Sequence, residues 1–172
     1  MPEPSRRVFQ ILVRASAKDV WREITRTDAP MACFFNNRMH LGPGGLAPGT
    51  KLAMRTPDGR YTGVVGEILA FEPPTRFSHT FRFTSMDDPE CKVTYELKPV
   101  EGGTEFTLII DDLLLETKTA KQMLQGGTMI CNTLKAVLET GRPTLGIRLL
   151  YGLFRLLLPL SPKRCRSENW PL

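Results

Sequence analysis

Residues 119–140, TAKQMLQGGTMICNTLKAVLET, constrain the fold more than any other stretch, because they form the longest segment that reads as a single helix. Ala120, Met123, Leu124, Gly127, Ile130, Cys131, Leu134, Val137 and Leu138 recur in steps of three and four, which gathers them on one face. Gly141 is a candidate C-cap and Pro143 forbids continuation, so the helix end is marked twice. The apolar face has to be covered, and nearly everything before it is strand-like. A long helix that follows a run of strands buries its stripe on the sheet they form, which predicts an α+β domain with the helix laid across one sheet face.

The strands show as alternation. Phe9, Ile11 and Val13 share one side of residues 7–14, and residues 51–55 and 61–71 make a hairpin around the turn Thr56-Pro57-Asp58-Gly59. In residues 75–83, Phe77, His79, Phe81 and Phe83 point one way, while Arg76, Ser78, Thr80 and Arg82 point the other. Val93, Tyr95 and Leu97 alternate likewise, and Glu101-Gly102-Gly103 turns the chain into residues 104–111. Consecutive hairpins imply an antiparallel meander. Ser16-Ala17-Lys18-Asp19 resembles a capping box and opens a short helix with Val20, Trp21 and Ile24 on its apolar side. Residues 28–49 are irregular and rich in Gly and Pro, so short helix and loop are expected there, with His40 exposed.

Charge and cysteine placement exclude several classes of function. The net charge of +5 lies wholly in residues 141–172, where six Lys and Arg face only Glu168; the preceding 140 residues are balanced at seventeen of each sign. Nucleic-acid binding needs a basic stripe on the folded body, so none is expected. Cys33, Cys91, Cys131 and Cys165 are widely spaced and lack His partners, which predicts neither a metal site nor a disulfide scaffold. No glycine-rich loop in a strand-to-helix setting cradles a phosphate, and no cofactor is expected. The opening MPEPSRRVFQ has no apolar run, so the chain is expected to lack a secretory signal and to be cytoplasmic.

Val20-Trp21, Gly66-Glu67-Ile68 followed by Glu72-Pro73-Pro74, the run 76–81, Gly103-Thr104-Glu105, and Leu134-Lys135 with Leu138-Glu139 occur in an order that resembles the START-like superfamily, also called SRPBCC. Within it they are similar to the branch of activators of Hsp ATPase, over residues 6–141. The resemblance implies a helix-grip fold, in which a curved antiparallel sheet wraps the long helix and leaves an elongated cavity between them. Residues 1–142 are then the domain and 143–172 an appended tail. Members of the superfamily include lipid and hormone carriers, polyketide cyclases, hydrolase-like proteins and chaperone co-regulators, so function has to be argued from the site.

With that cavity implied, Phe35, Met54, Phe77, His79, Phe81 and Tyr95 from the strand region, and Met123, Gly127 and Ile130 from the long helix, are the expected ligand-binding residues. His79 is the one catalytic candidate. An imidazole among Phe side chains either acts as a general base or is a core histidine bonded to a backbone carbonyl or water. Asp111, Asp112 and Glu116 either supply an acid at the cavity mouth or are solvated residues before the helix. Gly126-Gly127 costs roughly 0.8–1 kcal/mol per glycine within a helix, which points to a close approach, a bend, or room for ligand.

The tail reads TLGIRLLYGLFRLLLPL over residues 144–160. On a helix, Thr144, Arg148, Tyr151, Gly152 and Arg155 form one polar strip, and nearly everything else is Leu, Ile or Phe. The run is short of the roughly 20 apolar residues that span a bilayer. Three positions satisfy it: flat in a membrane interface, docked over the cavity mouth or sheet of its own domain, or buried in a homodimer. The leading functional expectation is carriage of a hydrophobic small molecule or lipid. The alternatives are a cyclase- or hydrolase-type enzyme using His79, and a protein-interaction module like the chaperone co-regulators.

Overall fold

Alternating burial organises seven strands: β1 (Ser5–Val13), β2 (Arg38–Leu41), β3 (Lys51–Arg55), β4 (Thr62–Glu72), β5 (Arg76–Phe83), β6 (Cys91–Val100) and β7 (Gly103–Leu113). The computed structural model describes residues 3–172. The strands form one antiparallel sheet in the order β1-β7-β6-β5-β4-β3-β2. The meander from β2 to β7 follows the hairpins. Its closure by β1 on β7 is a long-range pairing that sets Phe9 opposite Leu108 and Ile11 opposite Phe106. Helix α1 (Ala17–Thr25) intervenes between β1 and β2. Ser16 accepts the Asp19 amide at 3.1 Å, but Asp19 reaches the Ser16 hydroxyl rather than its backbone amide, so only half of the capping box forms.

The long helix α2 runs from Lys118 to Thr140, capped by the Thr117 side chain at the start and by Gly141 in the left-handed conformation at the end. Its Ala120, Met123, Cys131 and Leu134 are buried, as are Phe77, Phe106, Leu108 and Ile110 of the sheet. The chain is therefore α+β with a curved sheet around a long helix, the helix-grip arrangement. Leu124 departs from the expected stripe and is 37% exposed.

Residues 28–49 are more ordered than their composition predicts. Besides a single 3-10 turn, Ala32–Phe34, they hold β2, whose Arg38 pairs with Arg55 and His40 with Ala53. His40 is half-buried there rather than exposed. Four residues are too few for alternation to register among flanking glycines and prolines. After Thr140 the chain turns into α3 (Leu145–Leu157), N-capped by Thr144. Among the described residues no single helix is long and apolar enough to cross a membrane; α2 and the segment Leu145–Leu160 meet at 118°.

Candidate functional site

The helix stands off the middle and outer strands, and a cavity of about 1200 Å³ lies between them. Because alternate residues of a strand share a face, β5 presents Phe77, His79 and Phe81 to this space together. Met54 of β3 and Tyr95 of β6 belong to the same strand wall, with Leu52, Val64, Leu108 and Ile110 beside them. Helix α2 contributes Met123, Gly127 and Ile130, one turn apart, and Phe35 projects from the left-handed turn that ends the 3-10 segment. All nine residues singled out from the sequence thus lie on the wall of one cavity. Asp111, Asp112 and Glu116 do not line it. Asp111 accepts two hydrogen bonds from Arg6, at 2.6 and 3.0 Å, and Asp112 pairs with Lys92 at 2.8 Å.

His79 is 5% exposed and has two partners. Its Nδ1 lies 2.7 Å from the Thr80 carbonyl, which can only accept, so Nδ1 carries the proton and donates it. Nε2 is left with a lone pair facing the Tyr95 hydroxyl at 3.4 Å, a long hydrogen bond that the phenol donates. Burial pushes the imidazole pKa down to about 4, against a smaller opposing effect of the Thr80 bond. Burial likewise raises the Tyr95 phenol, so the pair is uncharged at neutral pH. Rings of Phe77 and Tyr95 stand 5.4 and 5.7 Å from the imidazole. Among the described residues no carboxylate and no Ser, Thr or Cys side chain hydrogen-bonds His79, so neither a nucleophile nor an orienting acid is paired with it.

Of the two glycines in α2, close approach accounts for Gly127 but only weakly for Gly126. A Cβ at Gly127 would sit 2.5 Å from the Phe9 ring, and one at Gly126 would sit 3.3 Å from the Phe35 ring. Gly66 serves the site less directly. A Cβ there would overlap the Thr80 carbonyl oxygen, the same atom that fixes the His79 tautomer.

The tail runs along the rim of the cavity as a strap. Arg148, Tyr151, Gly152 and Arg155, the polar strip of α3, all line the cavity mouth, and the Tyr151 hydroxyl donates to the Ala32 carbonyl at 2.6 Å. Part of the apolar side faces outward, with Leu145 and Leu149 each 67% exposed and Leu156 77%, while Phe154, Leu157 and Leu158 also line the cavity. Beyond the helix, Arg164 grips Asp87 through two bonds of 3.0 and 2.7 Å, and Ser167 meets Thr62 at 2.9 Å. Arg55 donates to the Trp170 carbonyl at 2.9 Å, and the Arg82 guanidinium lies 5.9 Å over the Trp170 ring. The strap is therefore pinned at Tyr151 and beyond its C-terminal end. In this single chain α3 lies along the rim of its own cavity with none of its residues buried, so the membrane and homodimer positions stay open for its apolar face. The sequence marked Tyr151 as part of the polar strip and Arg164 as one of the tail's charges, but not their partners, nor Ser167 or Trp170. Trp170, a large aromatic in an otherwise polar terminus, was the available signal.

The model of the family described as Activator of Hsp90 ATPase homolog 1-like protein matches residues 4–139. No curated protein matches the sequence. Among solved structures, a protein from Mesorhizobium loti is similar with a TM-score of 0.65 at 18% identity, covering 78% of this chain and 97% of its own. The Aha1 dimer from Colwellia psychrerythraea aligns with a TM-score of 0.63 at 16% identity, covering 80% and 98%. CalU16 from Micromonospora echinospora aligns at 0.58 and 16%, covering 87% and 89%. At these identities the neighbours establish the fold alone; the family match, which leaves the α3 strap outside it, shows that this chain belongs to the Activator of Hsp90 ATPase homolog 1-like family.

Proposed function

We propose that the protein binds an apolar small molecule or lipid in the cavity between α2 and the sheet and holds it without chemical change. The observation that carries this reading is the cavity itself. Its volume of about 1200 Å³ exceeds the roughly 300–1,000 Å³ of ordinary small-molecule pockets, and its wall is mainly apolar, with Phe and Met side chains prominent. His79 supports binding more than catalysis. An imidazole with a pKa of about 4 is a weak base at neutral pH, and its hydrogen bonds are already used by Thr80 and Tyr95.

The outward leucines of α3 extend the reading to where the cargo is met. No Asp or Glu occurs between Glu139 and Glu168, while six Lys and Arg do, so a second copy laid on this face would bring like charges together. An anionic bilayer supplies both the apolar cover and the opposite charge. The four cysteines are free and buried, in keeping with a reducing, cytoplasmic setting.

Native mass spectrometry of freshly purified full-length protein, with organic extraction, tests the cargo reading. The expected result is an added mass that extraction releases as an apolar molecule. A chain that is empty after purification and that leaves an uncharged hydrophobic dye unbound overturns it.

A further inference from the structure

The orientation of α3 is the least economical feature of the molecule. An amphipathic helix packed on its own domain ordinarily buries its apolar face, at about 1.5–3 kcal/mol per leucine. Here Leu145, Leu149 and Leu156 are in solvent, and the strip Arg148, Tyr151, Gly152, Arg155, its two arginines exposed, borders an apolar cavity that Phe154, Leu157 and Leu158 also line. These four positions are spaced i, i+3, i+4, i+7, so the two arginines stand on one side of the helix about 10.5 Å apart. Between them Gly152 leaves a gap: a Cβ built there meets nothing within 4 Å.

The charges around the cavity are unbalanced in one direction. Among the described residues, neither Arg148 nor Arg155 makes a salt bridge or a side-chain hydrogen bond, although ten other ion pairs form. Among the described residues Asp58 is the one carboxylate lining the cavity, and it is already occupied, accepting from Thr56 at 2.6 Å and from the Arg60 amide at 3.1 Å. The polar groups at depth, His79 and Tyr95, bond to each other and are neutral. An apolar interior with a self-satisfied base and two unmatched cations at the rim is complementary to a molecule with an apolar body and one anionic end.

We infer that the cavity takes an amphipathic anion, its hydrocarbon chain lying between α2 and the sheet and its carboxylate or phosphate head at the Gly152 gap between Arg148 and Arg155. This rests on the cargo reading and narrows it to a chemical class. The α3 strap lies outside the family match, so the preference for an anion belongs to this chain's extension and not to the shared domain.

Displacement of the uncharged dye N-phenyl-1-naphthylamine from the full chain tests it, with dodecanoate, dodecyl phosphate, methyl dodecanoate and dodecylamine as competitors. At least one of the two anions is expected to bind about tenfold more tightly than the methyl ester, and which one leads identifies the head group. The advantage should shrink as salt is raised. In the double variant Arg148→Gln/Arg155→Gln the anion advantage disappears while the affinity for methyl dodecanoate is retained, which also shows that the cavity is intact. Gly152→Leu, placed in open space on a helix, lowers anion affinity without lowering the melting temperature. Equal displacement by ester and anions overturns the inference and leaves the cargo reading standing. A dye that never binds overturns both.

Discussion

His79 illustrates how a single residue is set by its surroundings. Alternation in β5 placed it among Phe77, Phe81 and Phe83, and that much was legible in the sequence. The sequence left open whether it acts as a base or as a core histidine, because the answer depends on two contacts made through the fold: the Thr80 carbonyl, held in place by the Gly66 crossing, and the Tyr95 hydroxyl of the next strand. The same burial yields a pH dependence. The folded chain holds the imidazole neutral down to about pH 4, whereas the unfolded chain takes up a proton near 6.5. Below 6.5 the unfolded state therefore binds more protons, and stability is lost as the pH falls from 6.5 to about 4, by on the order of 3 kcal/mol. Replacing His79 by Asn keeps a donor for Thr80 but removes the titration. Urea unfolding at pH 7.5, 5.5 and 4.5 should show the wild type losing more stability than His79→Asn; equal losses would mean that the imidazole is not held neutral.

At the scale of elements, α2 was the most legible feature and β2 the least. The helix announced its period, its cap and its stop within the sequence, whereas β2 is defined mainly by its pairing with β3. The meaning of Gly126-Gly127 was undetermined between close approach, a bend and ligand space, since the partner rings come from Phe9 and Phe35, some ninety or more residues away. The contacts now separate the two glycines. Alanine at either site gains about 1 kcal/mol of helix propensity. At Gly126 the new methyl meets one ring atom of Phe35 at 3.3 Å, a contact that a small ring shift relieves, so Gly126→Ala should be neutral or stabilising by up to about 1 kcal/mol. At Gly127 three Phe9 ring atoms lie within 2.7 Å, and overpacking of about 1–3 kcal/mol exceeds the propensity gain, so Gly127→Ala should destabilise by about 1 kcal/mol. Adding Phe9→Ala should remove that penalty as a coupling energy in a double-mutant cycle. Identical effects of the two glycine substitutions, measured in urea, would contradict this account.

For the molecule as a whole, the division of charge was readable in the sequence, but the orientation of the charged segment was not. Periodicity shows that α3 has a polar strip and an apolar side; which side meets the domain is decided by contacts such as Tyr151 to Ala32 and Arg164 to Asp87, which no local pattern encodes. The result is a balanced body carrying a strap with leucines outside and a cationic border. If those leucines are covered by a bilayer, the full chain should float with phosphatidylglycerol-containing vesicles and much less with neutral phosphatidylcholine ones, and the difference should fall with salt over the range where the Debye length drops from about 10 Å to about 3 Å. Leu149→Glu/Leu156→Glu adds charge to two side chains that are 67% and 77% exposed, so the fold and melting temperature should be unchanged while flotation is lost. Sedimentation of the same proteins supplies the opposing outcome. If the wild type ignores both vesicle types and sediments as a dimer that the double Glu variant converts to a monomer, a second copy covers the face, and the cationic border must then find its counter-charge elsewhere on the partner.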